Sequence, residues 1–288
     1  MIQLNKEKIS DIKKLVIFLY RRVLGNPYIH VGLILIGIVY LSYYLYTFQY
    51  LKVEIPDIIY KDQKNLYVID SGHGYNEKNK CQWKSTKDGE GCFYEYEFNM
   101  GVVNYLCSML DDANIFYVRT DTLPHKRDMS ITERKNLVNS FKELFDEKKA
   151  TAEDRSIVLF SIHANAAKNS EANGLEVFTS VDKCKKYKNA EVCKSNMHTL
   201  ATLLSGNLKL AFPNKNFRST SKAEYKETSM ANEGEITLLD ETDCYAVLSE
   251  NGFYTNPSER QEMKTKEYQI KIAMAHYKTI CALEEINP

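Results

Sequence analysis

Residues 65–288 predict an α/β domain, a mainly parallel twisted sheet flanked by helices, preceded by one N-terminal transmembrane helix. Three observations carry that expectation. Short apolar runs alternate with amphipathic stretches of helical period, the arrangement of parallel strands joined by crossover helices. Two of the runs lead straight into a histidine and a third into a glutamate, where open α/β sheets place their ligands. Near the N-terminus, Val23 to Leu51 contains no Asp, Glu, Lys or Arg.

The charge-free stretch comes first in the chain. Ile29–Phe48 is mostly apolar and matches the roughly 20 residues that a helix needs to cross a bilayer core. Tyr40, Tyr43, Tyr44 and Tyr46 crowd its far end, as in an aromatic belt at the membrane–water interface. Lys6, Lys8, Lys13, Lys14, Arg21 and Arg22 precede it, against Glu7 and Asp11. The positive-inside rule therefore assigns residues 1–28 to the cytoplasm, 29–48 to a single-pass signal anchor, and the rest to the far side of the membrane. A cleaved signal peptide would have an apolar region of ~7–15 residues and a small-residue cut site. The exit here is TFQYLKVEIP, without such a site. Residues 49–64, polar and containing Pro56, form a linker. The expected location is the cytoplasmic (inner) membrane, with residues 65–288 in the periplasm or outside the cell.

Beyond the linker the elements follow in order. LYVID (66–70) is a buried strand, and Phe98, Val102, Val103, Leu106 and Leu110 mark a helix over 97–110. NIFYVRT (114–120) is a second strand. Ser130-Ile-Thr-Glu133 is a capping box opening a helix with Leu137, Val138, Phe141, Leu144 and Phe145 on one face. SIVLFSI (156–162) and LEVFTS (175–180) are strands. Ser195 is a candidate cap for a helix through Leu200, Leu203, Leu204 and Leu208 that Pro213 stops. AVLSE (246–250) is a further strand. Asn256 and Pro257 start one final helix carrying Ile270, Ile272, Met274 and Ile280. The polar segment 214–235 reads as a surface loop or flap, a candidate lid.

Composition narrows the function classes. The chain has 288 residues, 44% hydrophobic and 26% charged, too apolar for a disordered protein. Lys+Arg and Asp+Glu both number 38, so the basic excess of a nucleic-acid binder is missing. That neutrality hides two opposite biases, a basic first 51 residues and an acidic remainder.

The chemistry lies at the strand ends. LYVID is followed by Ser71-Gly72-His73-Gly74, SIVLFSI by His163-Ala164-Asn165, and AVLSE ends in Glu250. Two imidazoles and a carboxylate at one sheet edge suit Zn²⁺, which takes such ligands at roughly 2.0–2.2 Å and leaves a fourth position for water. Each histidine alone reads more readily as a hydrogen-bonded structural residue; together with a carboxylate they favour the metal.

Five motifs in sequence order resemble zinc-dependent N-acetylmuramoyl-L-alanine amidases: YVIDSGHG, EYEFN, RTD…ITERKNLVN, SIHANA with GLEVF, and VLSENGFYTNPSE. The resemblance runs from about Leu66 into the last helix. It implies zinc ligands at His73, Glu95 and His163, and a catalytic glutamate at Glu250. Glu95 is preferred to Glu97 because the family's ligand stands four residues before an Asn, here Asn99. The resemblance further implies Zn²⁺ as cofactor and peptidoglycan as substrate, cut at the amide between N-acetylmuramic acid and L-alanine of the stem peptide. Asn165 and Arg218 are candidates for positioning substrate, and each reads equally as a surface or turn residue. The chain departs from the family pattern in having Gly74-Tyr75 where Gly-Gly is usual, and in a longer stretch from His73 to Glu95. Rival expectations are a peptidoglycan-binding or regulatory module with weak catalysis, and a zinc peptidase cutting within the stem peptide. An activating protein partner is left open.

Seven cysteines sit in what would be an oxidising compartment. Cys81–Cys92 and Cys184–Cys193, both local pairs in polar segments, are the expected disulfides. Cys107 and Cys281 fall on helices as buried thiols, and Cys244 is undecided.

Overall fold

The computed structural model describes residues 63–74, 83–85, 91–121, 128–148, 156–218, 226–228 and 237–286. The expected cytoplasmic segment 1–28, the expected anchor 29–48 and most of the expected linker 49–64 lie outside them. Among the described residues no helix is long and apolar enough to cross a membrane.

The apolar runs become strands β1 (Asn65–Ser71), β4 (Tyr117–Arg119), β5 (Ser156–Asn165), β6 (Leu175–Ser180) and β8 (Tyr245–Phe253), and the edge strand β7 (Lys226–Thr228) joins them. Their order in the sheet is β4-β1-β5-β8-β6-β7, and every pairing is parallel except β6 with β8. A two-stranded antiparallel ribbon, β2 (Trp83–Ser85) and β3 (Gly91–Phe93), stands apart from it. The long helices are α1 (Glu95–Asp112), α2 (Ile131–Lys148), α3 (Ala190–Ala211) and α6 (Lys266–Glu284), with shorter α4 (Thr237–Glu241) and α5 (Pro257–Met263).

Strand side chains alternate between faces, and that alternation sorts the molecule. Tyr67 and Ile69 of β1, Val158, Phe160 and Ile162 of β5, and Val247 of β8 share one core with Leu106, Leu204, Leu208, Ile272 and Ile280 of α1, α3 and α6. Residues of opposite parity, including Asp70, Ser161, His163, Glu176 and Glu250, point to the other face.

Local signals explain the boundaries, including two that differ from expectation. Helix α3 begins near Asn189, not Ser195: the Asn189 side chain caps Val192 N at 3.3 Å, and Ser195 lies inside the helix. The expected single last helix is two, because Thr265 starts a new one by accepting from Tyr268 N. Ile270 and Met274 accordingly face outward while Ile272 and Ile280 are buried. The Ser130/Glu133 capping box forms as read, with Glu133 Oε2 accepting from Ser130 N at 2.9 Å. The second strand shrinks to Tyr117–Arg119 because Asn114, at φ +53°, is still part of the turn out of α1. The polar 214–235 segment is not uniformly loop: residues 226–228 pair with β6.

Cys184 and Cys193 form a disulfide that ties the short 3₁₀ turn Asp182–Lys186 to α3. Cys107, Cys244 and Cys281 are buried thiols. Cys81 lies outside the described residues, and so does its expected pairing with Cys92.

Candidate metal centre

Three elements deliver the cluster. β1 runs through Asp70 and Ser71 into Gly72, where the chain turns with His73 at φ +62°. That left-handed conformation costs a non-glycine residue roughly 1 kcal/mol or more, so surrounding bonds must hold it. Arg134 does so, donating from Nη2 to the His73 carbonyl at 2.7 Å. β5 carries His163 near its end, and α1 opens on Glu95.

Glu95 sits between the two imidazoles. Its Oε2 lies 3.3 Å from Nε2 of His73 and its Oε1 lies 3.2 Å from Nδ1 of His163. The rings stand edge to face, 5.3 Å between centroids at 79°. One ligand atom from each of the three residues falls within 4.8 Å of the others. The acid is anchored as well: Ala164 N donates to Oε1 at 3.0 Å, and Asn99 Nδ2, one helical turn on, donates to Oε1 at 3.4 Å and to the Gly72 carbonyl at 2.9 Å. Burial works to raise the Glu95 pKa, but hydrogen bonds and charge from His163 and His73 outweigh it and hold the group at about 2. Glu97, its rival in sequence, is exposed and accepts from the Tyr96 hydroxyl instead.

This donor set fits zinc. It joins two imidazole nitrogens to a carboxylate, the ligand types that zinc takes, with a nitrogen within 3.3 Å of each carboxylate oxygen. Glu95 and His163 are buried while His73 is partly open, leaving one side of the cluster accessible.

A polar layer below sets the ligands in place. Arg134 Nη1 donates to Asp70 Oδ1 at 2.6 Å and to the Ser71 carbonyl at 2.9 Å, while Ser161 Oγ donates to Asp70 Oδ2 at 2.6 Å. Burial pushes the Asp70 carboxyl up, but Arg134, His163 and the Ser161 and Thr120 hydroxyls together hold it below its ordinary value. Gly72 is required on steric grounds: a Cβ there would fall inside the His163 ring. The sequence singled out neither Asp70 nor Arg134 for a role. The available signal was an aspartate ending an apolar strand and an arginine within the ITERK motif.

Glu250 lies beside His163 in the β5–β8 register and opposite Glu176 in the β6–β8 register. His163, Glu250 and Glu176 thus form a row across three strands on one face. Glu176 is buried, and no sequence signal marked it apart from GLEVF. Its Oε2 accepts from Asn165 Nδ2 at 2.7 Å and its Oε1 pairs with Arg218 Nε at 2.8 Å. Both candidate positioning residues therefore meet on one carboxylate. The fold brings His73, Glu95 and His163 together, and Glu250 adjoins His163 through the sheet.

Comparison with known proteins identifies the family and the fold. The family model for N-acetylmuramoyl-L-alanine amidase matches residues 68–282. A Buchnera aphidicola protein named for that activity is 22% identical over 231 residues, covering 74% of this chain and 95% of the relative. Among solved structures, an N-acetylmuramoyl-L-alanine amidase from Clostridium difficile 630 shares 24% identity at a TM-score of 0.55, covering 79% of this chain and all of that one. The catalytic domain of an amidase from Paenibacillus polymyxa shares 20% identity at a TM-score of 0.54, covering 77% of this chain and 99% of that one. These structural likenesses speak to the fold.

Proposed function

The chain belongs to the N-acetylmuramoyl-L-alanine amidase family, and from that premise we propose a zinc-dependent hydrolase of the amide between N-acetylmuramic acid and L-alanine in peptidoglycan. The observation that carries the zinc reading is the convergence of His73, Glu95 and His163 beside Glu250. His73 Nε2, His163 Nδ1 and the Glu95 carboxylate would hold the ion. Zinc bound there supplies Lewis acidity, polarising an amide carbonyl and lowering the pKa of water toward about 7. Glu250 takes a proton from the attacking water on its carboxylate and returns it to the leaving amine of L-alanine. Asp70 and Arg134 keep the His73 turn in place while this happens.

The same reading places the enzyme in the cytoplasmic membrane through residues 29–48, its N-terminus inside and its amidase domain in the periplasm or beyond. The six Lys and Arg residues that precede the apolar stretch support that orientation. Resistance of the full chain to alkaline carbonate extraction from membranes tests the anchor, and release by the wash overturns it.

Mass spectrometry of purified peptidoglycan after digestion tests the reaction. The expected products are glycan with intact lactyl groups and peptides beginning with L-alanine, lost on chelation and restored by zinc. Cleavage inside the stem peptide would identify a peptidase instead. Retention on peptidoglycan without any release would identify a binding module.

A further inference from the structure

Arg218 is built into the site more firmly than a surface residue needs. Its backbone N donates to the Leu175 carbonyl at 2.9 Å, while Leu175 N donates to the Asn216 carbonyl at 2.9 Å, so residues 216–218 run alongside the start of β6. Its guanidinium lies over the Phe253 ring, 4.9 Å from the centroid, and Nε pairs with buried Glu176. Glu176 is fixed from its other oxygen by Asn165 and stands directly across from Glu250. The side chain nevertheless stays 38% exposed. Engagement of Nε leaves the two Nη groups as the fork that carboxylate recognition uses. A guanidinium stacked and paired on one edge loses little freedom when it binds an anion with the other.

We propose that Arg218, positioned by Glu176 and Phe253, recognises a carboxylate on the peptide side of the scissile amide and so selects anionic stem peptides over their amidated forms. The inference rests on the amidase reading for the identity of the peptide. It gives the buried Glu176 a purpose: two acids directly opposite each other on a sheet repel, and the arginine that neutralises one of them stays partly exposed to solvent.

The test uses two defined muropeptides, N-acetylmuramoyl-L-alanyl-D-glutamate and N-acetylmuramoyl-L-alanyl-D-isoglutamine, each with its γ-carboxyl capped as a methylamide, so that they differ only in whether the α-carboxyl is a free carboxylate or an amide. Binding to the zinc-loaded chain is measured in a Glu250→Gln background, which prevents turnover, with and without Arg218→Gln. The expected result is a loss of about tenfold or more for the carboxylate ligand and less than about twofold for the amide. Arg218→Lys, which keeps the charge but loses the fork, should retain an intermediate preference. Equal losses for both ligands, or no loss for either, overturn the proposal and leave Arg218 as a structural partner of Glu176. Release of stem peptide by the wild-type chain is measured alongside. Its failure would count against the amidase reading, while the binding comparison would still decide the role of Arg218.

Discussion

His163 and His276 are both buried against the same sheet, on opposite faces, and they do different things. His163 shares its face with Glu250 and Glu176, touches Glu95 at 3.2 Å and meets the partly open His73. His276, on α6, sits on the apolar face with its ring edge against Phe160. Its Nδ1 donates to the Ile272 carbonyl at 2.9 Å, which leaves Nε2 to accept from Ser249 Oγ at 3.0 Å. Burial drives its pKa down to about 4, with the Ile272 carbonyl offsetting only part of that. The ring is therefore neutral and closed within the protein. Asn251 connects the two regions, donating to the His163 carbonyl and to Ser249 Oγ. Burial is common to both histidines; what separates a site from a core bond is the carboxylate and the access to solvent.

The largest test of that contrast uses neighbours in sequence. Glu250→Gln should lower stem-peptide release on the order of 10³-fold with zinc content unchanged. Ser249→Ala, one residue away on the opposite face, should cost about 1–3 kcal/mol of stability through His276 and leave turnover within about twofold. Loss of activity in both variants would erase the distinction between the faces. Next in size is Arg134→Met, which strands the buried Asp70 carboxylate and should destabilise the domain by about 3–5 kcal/mol in denaturant titration. The His73 turn loses its holder as well, so zinc occupancy should fall in the fraction that folds.

The pH dependence sharpens the other half of the comparison. Unfolded His276 takes a proton near pH 6.5, whereas the folded ring resists until about pH 4. The unfolded state thus binds more protons between those values, and stability falls as pH drops through that window, by about 3 kcal/mol in all. His276→Gln should remove that share of the slope; a variant with the wild-type slope would show that the ring titrates normally. The effect furthest from the site is at the disulfide, whose nine-residue separation predicts a loss of about 2–3 kcal/mol for the Cys184→Ser, Cys193→Ser double variant. Zinc content and turnover should stay intact, since no side chain of the cluster rests on it.

Most of the elements were legible because their signals are local. Alternation of apolar runs, the Ser130 capping box and the Asn256-Pro257 start all act within a few residues, and all appear in the fold. The errors were local competitions decided by packing: Asn189 over Ser195 as a cap, and a helix restart at Thr265 that turns Ile270 and Met274 outward. Glu95 could be separated from Glu97 only through the family pattern, since both are acids in the first turn of a helix. The fold separates them because one faces the histidines and the other solvent.

From the residues alone came the α/β class and the histidines and glutamate in or just after its apolar runs. Strand propensity, caps and side-chain types are properties of short segments, so a sequence displays them. Tertiary structure alone decided that Asp70 and Arg134 support the His73 turn, that Gly72 must lack a side chain beneath His163, and that Glu176 lines up with Glu250. Those relations depend on the register between strands far apart in the chain. A shift of one residue in that register would send each side chain to the opposite face.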